Sequence, residues 1–275
     1  MSWTNITSWS SDGFGHQLMA MLGCQAVALS DSHNRTRYVP SVHTRVEHNP
    51  PNATELLSFL SSFPAGREAP APMPVEKARF PDCVQIRGVR VCDHCFGRSF
   101  TTVGCRVAQP MPQRTHATLV HRMHASLRSA FPGRSCQARN DRLRERLCVH
   151  WRQKAGWESR NWVKNRVFPK STLTTMIRAV QRNMTNTTSV VVYTNVDASD
   201  SQLSLPHLRS ADENPLSILF DFTFCCDGIV LSNSALSAVI GFATGVPRSR
   251  IGGHTSQCLP LNRNLALPKD RTFSV

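Results

Sequence analysis

The stretch that decides the fold is DGIVLSNSALSAVIGFATG, residues 227 to 245. A short apolar run, a turn rich in Ser and Asn, and a longer apolar segment follow one another in it. The first run predicts a buried strand and the longer segment predicts a helix. Ser232, Asn233 and Ser234 therefore lie at a strand-to-helix turn, where they can cap the helix or contact phosphate.

Two further strands are predicted upstream. TSVVVYT, residues 188 to 194, is rich in β-branched side chains, and RLCVHWR, residues 146 to 152, is short and apolar at alternate positions. The second strand delivers His150 and Arg152 at its carboxyl end, where ligands of parallel α/β sheets bind. Arginine offers a planar fork for phosphate oxygens, and histidine can contact a base edge or a sugar hydroxyl.

Helical segments alternate with these strands. Ser171 or Thr172 is the expected cap of one helix, and a second apolar run, ILFDFTFCC, spans residues 218 to 226. The capped helix has apolar side chains at helical spacing, namely Leu173, Met176, Ile177 and Val180. The β-α-β-α order predicts a mainly parallel sheet covered by helices, which is an α/β fold.

The amino-terminal part has a similar beginning. WTNITSW, residues 3 to 9, predicts a strand, and apolar periodicity predicts a helix over about 16 to 30. Gly13 and Gly15 lie between them, where the amide groups of a helix start can receive an anion. The dinucleotide pattern G-x-G-x-x-G is incomplete because Leu18 occupies its third glycine position, so a plain turn remains the alternative.

Length and charge limit the number of domains and the class of partner. At 275 residues the chain can bury two cores, and we favour two domains, 1-140 and 141-275. Residues 61 to 76 are rich in Pro and Ala and predict an exposed connection in the first domain. A formal net charge of +14 favours an anionic partner, although it does not distinguish nucleic acid, acidic membrane and a phosphorylated ligand.

Ten cysteines indicate oxidised pairs and a secretory compartment. The same compartment is favoured by Asn-x-Ser/Thr sequons, which begin at Asn5, Asn34, Asn52, Asn183 and Asn186. No segment approaches the about 20 apolar residues of a membrane-spanning helix, and the first residues do not resemble a leader. We therefore expect a targeting segment, and any membrane anchor, to lie outside the sequence given.

A cysteine cluster allows two interpretations. Cys92 and Cys95 form a C-x-x-C pair, with Cys83 and Cys105 on either side. Local disulfides are favoured in an oxidising compartment, and a zinc site is the alternative.

Three pieces, taken in order, resemble the GDP-fucose-dependent glycosyltransferases, most closely the α-1,6-fucosyltransferase branch. The first is GFGHQLMAMLGCQAVALSDSHNRTRYV, and the second is VHWRQKAGWE. The third comprises YTNVDAS and FDFTFCCDGIVLSNSALSAVIGFATG. The loop after Arg152 is shorter than in the family, because only Gln153 separates Arg152 from Lys154.

The resemblance implies a GT-B-like enzyme, in which two Rossmann-type domains face a cleft. The first domain would lie on the acceptor side, and the second would bind the nucleotide sugar. The expected reaction is metal-independent, inverting transfer of fucose from GDP-fucose to a glycan hydroxyl in the Golgi lumen, with no further cofactor. The residues implied to bind the donor are Gly13, Gly15, His150, Arg152, Asp221, Ser232, Asn233 and Ser234.

Individual roles follow from the same resemblance. Arg152 would neutralise the β-phosphate and act in catalysis, and His150 with Asp221 would recognise guanine. Glu158 falls where the family places the carboxylate that deprotonates the acceptor hydroxyl. Its alternative role is a surface ion pair with Lys154 or Arg160.

Two other functions remain open. The same fold can act on a protein Ser/Thr or on another oligosaccharide acceptor. A basic polyanion-binding or nucleic-acid-binding protein with a zinc module is the third reading, since Trp151, Trp157 and Trp162 lie within the basic stretch. Under the leading hypothesis the partners are a nucleotide-sugar donor and a glycan acceptor, with no nucleic acid.

Overall fold

The computed structural model describes residues 4–8, 13–30, 36–42, 46, 52–63, 73–74, 84–86, 89–92, 113–136, 145–152, 168–184, 187–194, 208–211 and 214–253. The chain divides into two compact units, Met1–Gly133 and Arg134–Val275. The boundary predicted between residues 140 and 141 lies outside the described residues.

The first unit contains a mixed sheet and three described helices. Its elements are β1 (Thr4–Ser8), α1 (Phe14–Ser30), β2 (Thr36–Tyr38), β3 (Ser41–Val42), α2 (Ala53–Ser62), β4 (Met73–Pro74), β5 (Val84–Ile86), β6 (Val89–Cys92) and α3 (Gln113–Ala130). The sheet order is β2-β1-β6-β5, and β1 pairs in parallel with both β2 and β6. Strand β5 is antiparallel to β6, and β3 pairs separately with β4.

The predicted strand and helix at the start of this unit are confirmed. Helix α1 begins at Phe14, earlier than predicted, so Gly15 lies in its first turn and only Gly13 precedes it. The carbonyl of Gly13 accepts hydrogen bonds from the amides of His16 and Gln17, which starts the helix at this point. Of the predicted exposed connection, residues 61 and 62 complete α2, and Phe63 follows as its C-cap and is buried, which contradicts the prediction at this position. Residues 73–74 form β4, and the remainder lies outside the described residues.

The second unit is an α/β domain with a parallel sheet. Its elements are β7 (Glu145–Trp151), α4 (Lys170–Gln181), β8 (Thr187–Thr194), β9 (Leu208–Ala211), α5 (Pro215–Phe224), β10 (Gly228–Leu231), α6 (Ala235–Ala243), a 3₁₀ helix (Arg248–Arg250) and β11 (Ile251–Gly253). The strands follow the order β11-β10-β7-β8-β9, and every pair is parallel. The prediction of a mainly parallel sheet is therefore confirmed for this unit.

Helices cover both faces of this sheet. Alternate side chains of a strand point to opposite faces, and Leu147, Val149 and Trp151 of β7 join one core cluster with Leu173 and Ile177 of α4. Burying a side chain of this size contributes about 1.5–3 kcal/mol. On the other face of β7, Cys148 is bonded to Cys226, which follows α5, and His150 contacts Ser237 of α6.

The starts of α4 and α5 are capped in different ways. The predicted cap of α4 by Ser171 or Thr172 is wrong: the helix begins at Lys170, and Pro169 occupies the cap position without a side-chain bond. Proline there already has a fixed φ, here −56°, that suits the residue entering a helix. The apolar run at residues 218 to 226 forms most of α5, which Asn214 caps by accepting hydrogen bonds from Leu216 and Ser217.

Two disulfides cross-link the second unit. Cys136 is bonded to Cys225, and Cys148 of β7 is bonded to Cys226. No cysteine among the described side chains is free, which confirms the prediction of oxidised pairs for this part of the chain and indicates an oxidising, secretory-type environment. Within the described residues no helix is long and apolar enough to span a bilayer.

Candidate functional site

The strand order of the second unit creates a crevice at the carboxyl ends of β7 and β10. The chain proceeds from β7 outward to β8 and β9, and then returns to the other side of β7 to form β10 and β11. This is the order of the doubly wound sheet, whose ligands bind where the direction of winding changes. His150 pairs in register with Leu231, and the amide of Ser232 donates to the carbonyl of His150 at 3.0 Å.

Three of the predicted residues meet at this point, together with a serine that was not predicted. Nδ1 of His150 lies 2.6 Å from Oγ of Ser237 and 3.3 Å from Oγ of Ser232. The hydroxyls of Ser232 and Ser237 are 3.1 Å apart, and the hydroxyl of Ser234 donates to that of Ser237 at 3.1 Å. The result is a continuous network of hydroxyl groups around one imidazole.

The turn between β10 and α6 has the capping role allowed by the sequence. Ser234 is the N-cap of α6, and its Oγ accepts a hydrogen bond from the amide of Ser237 at 3.1 Å. The side chains of Ser232 and Asn233 are buried in the same turn. Helix α6 thus directs its amino terminus, with its partial positive charge, toward the edge of the sheet that contains His150.

His150 is neutral at physiological pH. Burial, assisted by the positive charge of Arg152, lowers the pKa of His150 to about 4. Arg152 lies one residue beyond the end of β7 and is half-buried. Glu145, at the start of the same strand, pairs with Arg250 at 2.7 Å. The edge of the sheet therefore combines a neutral imidazole, several hydroxyl groups and a guanidinium group.

Asp221 belongs to a second cluster on the same face of the sheet. Its Oδ1 accepts from Nη2 of Arg134 at 3.1 Å, and its Oδ2 accepts from the hydroxyl of Tyr193 at 3.0 Å. Burial and then the adjacent carboxylate raise the pKa of Tyr193, so its phenol keeps the proton that it donates. Tyr193 pairs in register with His150, and the ring of Phe222 packs against both side chains, with centroids 5.0 and 6.4 Å away.

The glycines predicted to approach a diphosphate lie in the first unit. Gly13 ends the connection after β1, and Gly15 is the second residue of α1. Strand β1 is itself the point where the winding of its sheet changes direction, because β2 and β6 flank it in parallel. The amides at the start of α1 therefore follow the carboxyl end of the strand at which the winding changes direction. In the second unit, the amides at the start of α6 follow the carboxyl end of β10, next to the same kind of position.

The structure does not describe the side chains of two further predicted sites. Glu158 lies outside the described residues, and so does the predicted disulfide or zinc cluster of Cys83, Cys95 and Cys105, with only the backbone of Cys92 described. In the part of the chain that is described, no group of three or more His, Cys, Asp or Glu side chains is arranged to ligate a metal ion.

Sequence reasoning missed Ser237, Tyr193 and Arg134. A signal for Ser237 was present, since a polar residue three positions after a serine cap interrupts an otherwise apolar helix. Arg134 and Tyr193 have no such local signal, because they lie 87 and 28 positions from Asp221 in the chain.

Comparison with protein-family models, with curated proteins and with solved structures found no match.

Proposed function

We propose that the protein is a glycosyltransferase that moves fucose from GDP-fucose to a glycan hydroxyl, with α-1,6 linkage as the leading possibility. One observation carries the proposal. The network of His150, Ser232, Ser234 and Ser237 lies where the winding of a parallel sheet reverses, at the carboxyl ends of adjacent strands and beside the start of α6. That position suits a nucleotide diphosphate.

The chemistry of the site supports a diphosphate leaving group. Departure of GDP from the anomeric carbon develops negative charge on the β-phosphate, which guanidinium and oriented hydrogen-bond donors stabilise. Arg152 supplies the positive charge, and the serine turn supplies hydroxyl groups. The resemblance implies a metal-independent reaction, so Arg152 is assigned the role that a divalent cation plays in other transferases.

The remaining roles rest on the resemblance in sequence. Glu158 is the proposed base for the acceptor hydroxyl, and Asp221 with His150 is proposed to contact guanine. The two units are proposed to form a GT-B-like pair, with Gly13 and Gly15 contributing amides to the same diphosphate. The disulfides suit a luminal enzyme, and we propose the Golgi as its compartment.

Calorimetric titration of the full chain with GDP, GDP-fucose and UDP tests the proposal. We expect GDP and GDP-fucose to bind more tightly than UDP, and Arg152→Ala to weaken GDP binding about tenfold to a hundredfold, as expected for loss of a charged hydrogen bond. Arg178→Ala is the matched control, because it removes the same charge from an exposed position on α4, which packs on the opposite face of the sheet. Equal binding of the three nucleotides, or equal effects of the two substitutions, would contradict the proposal.

A further inference from the structure

Ser237 is the residue of the site with the closest contact to His150. It lies in the first turn of α6 and is fully buried. Its Oγ is 2.6 Å from Nδ1 of His150, whereas the hydroxyl of Ser232 is 3.3 Å from the same nitrogen. Any constraint on the imidazole from these hydroxyls therefore acts mainly through Ser237.

The protons of the network can be followed from the helix backbone. Oγ of Ser234 accepts the amide proton of Ser237 and donates its own proton to Oγ of Ser237. Oγ of Ser237 is already an acceptor, so its own proton is available for Nδ1 of His150.

A neutral imidazole that accepts at Nδ1 has its proton on Nε2. Within the part of the chain that the structure describes, no group is hydrogen-bonded to Nε2 of His150, and the residue is only half-buried. The Nε2–H group is then a donor with no acceptor among the described residues.

We propose that Ser237 is a positioning residue: it donates to Nδ1 of His150, fixes the tautomer with the proton on Nε2, and makes His150 a donor that selects a hydrogen-bond acceptor on the ligand. This proposal rests on the proposed nucleotide-sugar function for the identity of the ligand, GDP. The acceptor is an oxygen of the diphosphate or an acceptor atom on the guanine edge, and both present the same chemistry to Nε2–H.

The tautomer can be measured without any ligand. Long-range proton–nitrogen correlation spectra of the full chain labelled with 15N-histidine distinguish a proton on Nε2 from one on Nδ1. We expect His150 in the wild-type protein to have its proton on Nε2, and Ser237→Ala to shift the population toward Nδ1–H. Ser237→Thr keeps the hydroxyl and should keep the Nε2–H form. A wild-type His150 with its proton on Nδ1 would overturn the inference, even if Ser237→Ala does not fold.

Ligand titrations test the consequence for recognition. We expect Ser237→Ala to weaken GDP binding about fivefold to tenfold through loss of one oriented hydrogen bond. Ser171→Ala is the control, because Ser171 is exposed on α4. Pyrophosphate and guanosine identify the acceptor: the loss appears with pyrophosphate if the diphosphate contacts His150, and with guanosine if the base does.

The outcomes separate the two proposals. Altered tautomer in Ser237→Ala with unchanged affinity for GDP, pyrophosphate and guanosine would overturn the recognition role of His150. A wild-type protein that has the Nε2–H form but binds no GDP would overturn the nucleotide-sugar function, while supporting the arrangement of Ser237 and His150.

Discussion

At the scale of single residues, the candidate site is built from neutral hydrogen-bonding groups placed beside the positive charge of Arg152. His150 is held neutral by burial and by Arg152, and the hydroxyls of Ser232 and Ser237 approach its Nδ1. A neutral imidazole can donate one hydrogen bond without adding charge. The positive charge at this edge of the sheet is therefore assigned to Arg152 and to the start of α6.

The lowered pKa of His150 predicts a dependence of stability on pH. Between about pH 6.5 and about pH 4 the unfolded imidazole takes up a proton and the folded one does not, so the free energy of unfolding should fall as the pH decreases through this range. In His150→Gln this contribution is absent, so the difference in the free energy of unfolding between wild type and variant should become smaller as the pH decreases. Urea unfolding at several pH values measures it, and parallel pH profiles for the two proteins would contradict the assignment.

Sequence reasoning identified several residues of this site but not their partners. His150, Ser232 and Ser234 were predicted because a strand end and a helix cap each have a local pattern. The contact of His150 with Ser237 joins residues 87 positions apart, and no local pattern encodes it. For the same reason, the bonds of Asp221 to Arg134 and Tyr193 became known only from the fold.

At the scale of elements, the site depends on where β10 ends. Leu231 is the last residue of β10 and pairs in register with Gly253 of β11 on one side and with His150 on the other. Gly253 has φ of +106°, and a Cβ there would clash with the backbone of Leu231. The edge strand β11 can therefore lie against β10 only with glycine at this position.

Gly253→Ala should lower the stability of the second unit. We expect a loss of about 3 kcal/mol in the free energy of unfolding, because the substitution adds two costs. Alanine is strained at this positive φ, and its Cβ clashes with the backbone of Leu231, which precedes Ser232. Gly133→Ala is the matched control: Gly133 has φ of +77° but open space around its Cα, so about 1 kcal/mol is expected. Denaturant unfolding compares the two, and equal losses would show that contact with Leu231 is unimportant.

Strand and helix patterns were sufficient for most elements of the second unit. The apolar runs of β7, β8 and β10 and the turn before α6 have clear local signals. Strand β9 was not predicted, and the start of α4 was misplaced because a proline, rather than a serine or threonine, precedes the helix. The Asn214–Pro215 pair that opens α5 is a recognisable helix start. It indicates a helix where the apolar run alone does not distinguish a helix from a strand.

At the scale of the whole molecule, the order of strands could not be read from the sequence. Pairing of β7 with β10 joins segments that begin at Glu145 and Gly228, and such pairings depend on the complete core. The disulfide between Cys148 and Cys226 links the same two parts of the chain, since Cys226 lies just before β10 and Cys148 lies within β7. It therefore reinforces the pairing that forms the crevice.

Removal of this disulfide should lower stability substantially. Because the Cys136–Cys225 bond already joins the same two parts of the chain, the Cys148–Cys226 bond closes a ring of only about 15 residues, for which the loss of chain entropy in the unfolded state predicts about 3 kcal/mol. The double variant Cys148→Ala/Cys226→Ala, with the Cys136–Cys225 bond intact, should show this loss in denaturant unfolding under non-reducing conditions. A change below about 1 kcal/mol would indicate that the cross-link adds little to the fold.

Structure determination of the full chain with GDP bound is the most direct measurement of the central claim, that the crevice at the ends of β7 and β10 holds a nucleotide diphosphate. The predicted result places the diphosphate oxygens within hydrogen-bonding distance of Arg152 and of the turn at Ser232 and Ser234, with Nε2 of His150 directed at the ligand. Nucleotide bound away from these strand ends, with Arg152 and His150 contacting only protein, would contradict the claim.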